Sequence, residues 1–217
     1  MPRIADIFLR EKTHRVLTWQ GRVVVLLVLL IIAGFSWPLF RIGITHYIYR
    51  VDEPHPDSRI VVENWNGDVE MFEGSKRASR LVGAREIWSI IYEDAYADLR
   101  KRRAVILNAW AAGIDTSSFH LIPVIQQEPK TLHIARAVAD TAHRNGWQHI
   151  TIVTEDLHSS RSRKAYNFEA KPFGISVTTL GVSLDGVTAD NWPTTSTGLS
   201  SAFSEMIKKI YYDLVVF

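Results

Sequence analysis

"TIVTEDLHSSRSRKAY" (residues 151–166) changes character halfway along its length. Thr151, Ile152 and Val153 are β-branched, the composition of a buried strand. Thr154, Glu155, Asp156 and His158 follow at once, and then Ser160, Arg161, Arg163 and Tyr166 at the start of a helix. A core strand that runs into an acid, imidazole and guanidinium cluster has the form of a strand end in an open parallel sheet. Ligands bind beyond the carboxyl ends of such strands.

The segments around this stretch repeat its pattern. Residues 59–63 ("RIVVE"), 86–92 ("EIWSIIY"), 119–125 ("FHLIPVI"), 149–154 and 175–180 read as strands. Pro123 places the third of them at a sheet edge or a bulge. Helical stretches separate them. Residues 68–81 form one, with Asp68 able to cap its start. Residues 94–112 form another, with Leu99, Ala104, Leu107 and Trp110 on one side and Gly113 at its end. Residues 129–145 and 196–214 complete the set. Strand and helix alternate throughout. The expectation is therefore a three-layer α/β/α Rossmann-like domain with a mainly parallel five-stranded sheet.

A transmembrane helix is expected ahead of this domain. Residues 23–40 ("VVVLLVLLIIAGFSWPLF") carry no charge, and about 18 or more such residues can cross a bilayer. Trp37, Pro38 and Phe40 occupy the place where a signal peptide would show a small-residue cleavage site, so an uncleaved anchor is expected. Arg3, Arg10, Lys12, Arg15 and Arg22 precede the run. By the positive-inside rule they keep residues 1–22 cytoplasmic and place the later chain outside. The basic arm reads either as an interfacial helix over residues 3–19 or as a flank that only sets topology. Residues 41–58 read as a linker, with "VDEPHPDS" (51–58) breaking any helix that leaves the membrane. Residues 59–217 are the outer domain.

Composition narrows the function classes. The 217 residues carry a net charge of +2, which gives no field for nucleic acid. There is no cysteine, hence no disulfide, thiol nucleophile or Cys-ligated zinc. No G-x-G-x-x-G or Walker loop follows the first strand, and no G-x-S-x-G elbow occurs. The histidines show no metal-ligand spacing. No cofactor and no metal are expected, although a divalent ion on Glu63, Asp68 and Glu155 stays an open alternative.

Several motifs occur in a telling order: "VVENWNGD" (Glu63, Trp65, Asp68), "EPKTLHIA" (Thr131) and "VTEDLHSSRSRKAY" (Thr154, His158, Arg161, Arg163, Tyr166). "NWPTTSTGL" (Trp192) and "SEMIKKIYY" (Glu205, Lys208, Tyr211, Tyr212) follow. Together these resemble the SanA/ElyC/YdcF-like family of bacterial envelope proteins, a domain-of-unknown-function group that is often anchored by an N-terminal helix. The departures lie at glycines. Tyr92-Glu93-Asp94 stands where the family commonly has a Gly-Gly turn, and Asn64 follows Glu63 in place of Gly. Leu132-His133 stands where the family has a Glu-Asn or similar pair. A pocket that needs bare backbone would be partly filled.

The resemblance implies an extracytoplasmic site. His158 would act as acid or base, with Glu63 and Glu155 orienting it. Arg161, Arg163 and Thr131 would bind an anion, and Trp65, Asp68, Thr154 and Tyr166 would line the pocket. The expected substrates are phosphorylated glycans or polyprenyl carriers. The alternative is a catalytically inactive subunit that stabilises a larger membrane complex, with lipid and other transmembrane subunits as its partners. For the single residues a plainer reading stays open: His158 as a satisfied helix-start histidine, and Arg161 and Arg163 as surface charges paired with Glu155 and Glu169.

Overall fold

The computed structural model describes residues 9–10, 16–64 and 67–217. It divides into two compact units, residues 1–43 and residues 44–217.

The first unit contains a short antiparallel pair, β1 (Leu9–Arg10) with β2 (Val16–Leu17). The interfacial helix expected over residues 3–19 is thus strand at these four positions, and the rest of the arm up to residue 15 lies outside the described residues. Next comes α1 (Trp19–Ile48), a 30-residue helix long and apolar enough to cross a membrane. It fits a signal anchor or a signal sequence. It starts before the expected span and runs eight residues beyond Phe40, so the connecting segment begins at Tyr49 and not at residue 41.

The second unit is an α/β domain. Its strands are β3 (Arg59–Val62), β4 (Ile87–Tyr92), β5 (Phe119–Val124), β6 (His149–Glu155) and β7 (Ser176–Val182). They pair in the order β5-β4-β3-β6-β7, and every pairing is parallel. The chain starts at the middle strand, works outward to β5, then crosses back to β6. The strand order therefore reverses between β3 and β6, which is where such a sheet opens a ligand crevice. Pro123 sits on β5, an edge strand where a missing N–H costs no ladder bond.

Helices α2 (Val69–Val82), α3 (Glu93–Ala97) and α4 (Leu99–Ala111) precede β5. Helices α5 (Lys130–Arg144), α6 (Ser159–Ala170) and α7 (Ser196–Tyr211) follow it. Side chains alternate along each strand, so each face of the sheet gathers its own core. Val61, Ile90, Ile122 and Ile152 pack against Ile134 and Val138 of α5 and Ala165 and Tyr166 of α6. Ile60, Val62, Ile91 and Val153 pack against Met71 and Phe72 of α2 and Val105 and Ala109 of α4. In α2, a Cβ at Gly74 would collide with Val182, so the missing side chain sets how closely that helix approaches β7.

Two local expectations are corrected. The helix expected over residues 94–112 is two helices, α3 and α4, and the Asp98 carboxylate caps the second by accepting from the Arg100 and Lys101 N–H groups. The apolar side of α4 that carries Leu99, Leu107 and Trp110 is the outer one, 68%, 49% and 65% exposed, while the small Val105 and Ala109 face the sheet. At α2, Asp68 occupies the N-cap position without a side-chain cap bond. Asn64 braces that turn instead, accepting from the Asp68 N–H at 2.8 Å and donating to the Asp68 carbonyl at 2.7 Å.

A third cluster holds the C-terminal part together. Ile44, Ile48, Leu157, Val187 and Ala202 surround Trp192, which is fully buried. Its indole N–H donates to Thr45 Oγ1 at 2.9 Å. Gly198 lets the first turn of α7 lie against the Trp192 backbone, where a Cβ would clash with the Trp192 carbonyl. Trp192→Ala is expected to cost about 3–5 kcal/mol of unfolding free energy, from the lost burial and the cavity left behind. Chemical denaturation followed by far-UV circular dichroism measures it.

Candidate functional site

The carboxyl ends of β3 and β6 deliver Glu63, Thr154 and Glu155 to the reversal point. A single 3-10 turn, Asp156–His158, then lifts the chain into α6. His158 is therefore fixed at the junction of turn and helix, 5% exposed. Its Nδ1 lies 2.9 Å from Glu205 Oε2 of α7 and 2.6 Å from Arg161 Nη2. Its Nε2 lies 3.7 Å from Glu63 Oε2.

Nδ1 thus faces an obligate donor and an obligate acceptor together. With Nδ1 bare, Arg161 donates to it. With Nδ1 protonated, Glu205 accepts from it. Either way, one of the two groups pairs with Nδ1 and the other turns to its remaining partners in the cluster.

Arg161 is the hub of the cluster. Its Nε and Nη2 donate to Glu205 Oε2 at 3.0 and 2.8 Å, and its Nη1 donates to Thr131 Oγ1 in the first turn of α5. The Tyr212 ring lies against the guanidinium, 5.2 Å from centroid to Cζ. All three guanidinium nitrogens are thereby engaged inside the fold, and Arg161 serves as a buried counter-charge.

The carboxylates around it are driven in opposite directions. Burial opposes the charge on Glu205, but His158, Arg161 and Lys208 together outweigh it and hold that carboxyl well below the usual range. At Glu155 burial dominates and the Glu205 charge adds to it; His158 and Lys208 oppose them without prevailing, so Glu155 is pushed up. Environments that separate two carboxyls in this way commonly mark an acid and a permanent anion. Glu63 is buried and accepts from Ser162 Oγ at 2.6 Å through Oε2, and its Oε1 has no hydrogen-bond partner among the described residues. Burial raises the Tyr166 phenol far above its ordinary value, and the nearby Glu63 charge adds to the rise.

Two openings share His158 and Glu155. One is a cleft of about 860 Å³ walled by Tyr92, Ile134, Ile207, Lys208, Tyr211 and Tyr212, among others. The other is a small chamber of about 80 Å³ bounded by Glu63, Asn64, Asp68 and Thr154. Thr154 Oγ1 is buried beside that chamber and has no hydrogen-bond partner among the described residues. Tyr92 does occupy the cleft wall where a Gly-Gly turn was the family expectation, and the cleft remains open beside it. Among the described residues no three His, Asp or Glu side chains converge to hold a metal ion, so the geometry gives no support to an ion on Glu63, Asp68 and Glu155.

The structure brings together His158, Glu63, Glu155, Arg161, Thr131, Thr154, Asp68 and Tyr166. Arg163 points elsewhere. Its Nε donates to Asp52 Oδ2 at 2.7 Å, and the same oxygen accepts from Thr179 Oγ1, which ties the connecting segment to β7. Trp65 lies outside the described residues. Glu205 and Lys208 join this cluster although they were not among the candidate site residues. Their only signal was the spacing Glu-x-x-Lys-x-x-Tyr-Tyr in "EMIKKIYY", which puts Glu205, Lys208 and Tyr212 on one face of α7. No family model matches the chain, and neither does any curated protein or solved structure.

Because the folded pKa of Glu205 is depressed, its stabilising contribution is complete above the ordinary glutamate value of about 4.3 and drains away as pH falls toward the folded value. Glu205→Gln should therefore lose about 3–5 kcal/mol at neutral pH, since the buried Arg161 keeps its charge without a counter-ion. The difference from the wild type should shrink as pH is lowered below about 4.3. Urea unfolding of both proteins across that range measures it.

Proposed function

We propose that the chain is an anchored envelope protein whose outer α/β domain carries out acid–base chemistry on an anionic amphiphile, with phosphorylated glycans or polyprenyl-linked phosphates as the substrate class. The observation that carries this reading is His158. It lines a cleft of about 860 Å³ at the sheet's reversal point, between Glu63 and Glu205, with a donor and an acceptor both within reach of Nδ1.

The roles follow from the environments. His158 takes the proton from the water whose oxygen bonds to the reacting centre as the old bond breaks. Glu155, held toward its neutral form, is placed to protonate a departing oxygen. Glu63 and Glu205 position the imidazole, and Arg161 keeps Glu205 ionised. Lys130 and Lys208 on the cleft walls meet the anionic part of the ligand. Tyr92, Ile207 and Tyr211 offer the apolar surface that a lipid or sugar ring covers.

The envelope setting rests on α1 read as an uncleaved anchor, on the basic residues before it, and on the ordered motifs that resemble the SanA/ElyC/YdcF-like family. The positive-inside rule then assigns residues 51–217 to the outer side. A second reading, an inactive accessory subunit, is favoured by one observation: each nitrogen of Arg161 is held by the protein's own groups, which is how a structural hub is built.

Full-length protein in mild detergent, supplied with polyprenyl phosphates and phosphorylated glycans, should release phosphate or a water-soluble product. His158→Gln should lower that turnover about 10²–10⁴-fold with the circular dichroism spectrum unchanged. Equal turnover in the variant would refute the assignment. Co-migration of the chain in fixed ratio with a large native-membrane assembly, with His158→Gln fully able to assemble, would establish the subunit reading.

A further inference from the structure

The outer side of α4 is a different kind of surface from the cleft. Its sequence, "LRKRRAVILNAWA", holds four consecutive cations and no acid. Leu99, Trp110, Arg103, Leu107 and Arg100 fall within roughly 100° of arc on an ideal helix. The three apolar members are 68%, 65% and 49% exposed. Val105 and Ala109 pack the opposite side onto the sheet.

The cations of α4 divide into two pairs. Lys101 reaches Asp94 at 3.3 Å, and Arg102 lies over the Tyr96 ring. Among the described residues the side chains of Arg100 and Arg103 have neither a carboxylate nor an aromatic partner, and these two flank the apolar row. Leucine and tryptophan interleaved with unpaired arginines, on a helix whose other side is already committed to a core, form the pattern that lies in a lipid interface. The aromatic and aliphatic groups enter the headgroup boundary, and the guanidiniums meet anionic headgroups.

We propose that α4 is a membrane-contact helix, docking the outer domain on anionic phospholipid through Leu99, Leu107, Trp110, Arg100 and Arg103. This rests on α1 being an anchor, and on no other part of the proposed function. A domain tethered to a bilayer by its own chain meets that surface at high effective concentration, so a contact too weak to recruit a free protein can still hold a tethered one. The contact would set which way the domain lies on the membrane.

The chain has no cysteine, so one probe can be placed at will. Leu107→Cys in the full-length protein is labelled with a solvent-sensitive fluorophore. The protein is reconstituted into vesicles of phosphatidylcholine alone or of phosphatidylcholine with phosphatidylglycerol. Asp140→Cys, on exposed α5 across the sheet, is the control.

With phosphatidylglycerol present, the Leu107 label should shift to the blue and lose most of its quenching by aqueous iodide. The control label should not change. Arg100→Glu combined with Arg103→Glu, both at the surface, should abolish the shift, as should high salt. Equal quenching in both vesicle types would overturn the proposal. So would protection that is the same in both lipids and in detergent, because that would mark a protein partner. Flotation of the protein with vesicles in every case reports α1 separately, so failure of the anchor and failure of α4 are told apart.

Discussion

One carboxylate oxygen, Glu205 Oε2, accepts from Arg161 Nε and Nη2 and lies 2.9 Å from His158 Nδ1. That shared atom joins α6 to α7 above the carboxyl ends of the sheet, and the Arg161–Thr131 bond adds α5. A buried guanidinium without its carboxylate would be far costlier than any neutral replacement, so the arrangement holds only as a whole. The cleft is the space these three helices leave when they are tied at one point. Lys208, one turn further along α7, reaches Glu205 Oε1 at 2.8 Å and so braces the same carboxylate from the cleft side.

The environment of His158 follows from this knot. Glu205 stays ionised because Arg161 and Lys208 surround it, and an ionised Glu205 is always available to accept from Nδ1. The guanidinium is equally available to donate. The ring is held in place from three sides, by Glu205, Arg161 and the more distant Glu63. Glu155, one turn away on the strand end, is pushed the opposite way by its burial.

Much of this was legible in the chain, and the limits have physical causes. The five strands, the edge position of Pro123 and the polar end of β6 follow from short-range pattern, because a buried parallel strand needs continuous β-branched residues and its end needs polar ones. The inner side of α4 was not legible because its residues form two apolar stripes. Periodicity cannot say which stripe is buried, and the small one won because Val105 and Ala109 allow closer approach to the sheet. Arg163 was grouped with Arg161, yet two residues on a helix lie roughly 200° apart around the axis, so the two could never share a pocket. The partnership of Glu205 with Arg161 spans 44 residues and exists only in the tertiary fold. The connecting segment was read as a linker, and its docking was not legible: Asp52 is held by Arg163 and Thr179, and His55 stacks on His149 at 3.6 Å.

The account turns on whether an anionic amphiphile enters the cleft beside His158. The direct measurement is a titration of the full-length, ¹⁵N-histidine-labelled protein in detergent with a short-chain polyprenyl phosphate, following the imidazole nitrogens and assigning His158 by His158→Gln. The account predicts that the His158 signals move and saturate while those of His55 and His149, stacked on each other elsewhere in the domain, stay still. His158 signals that remain unmoved at ligand concentrations that saturate binding would contradict it.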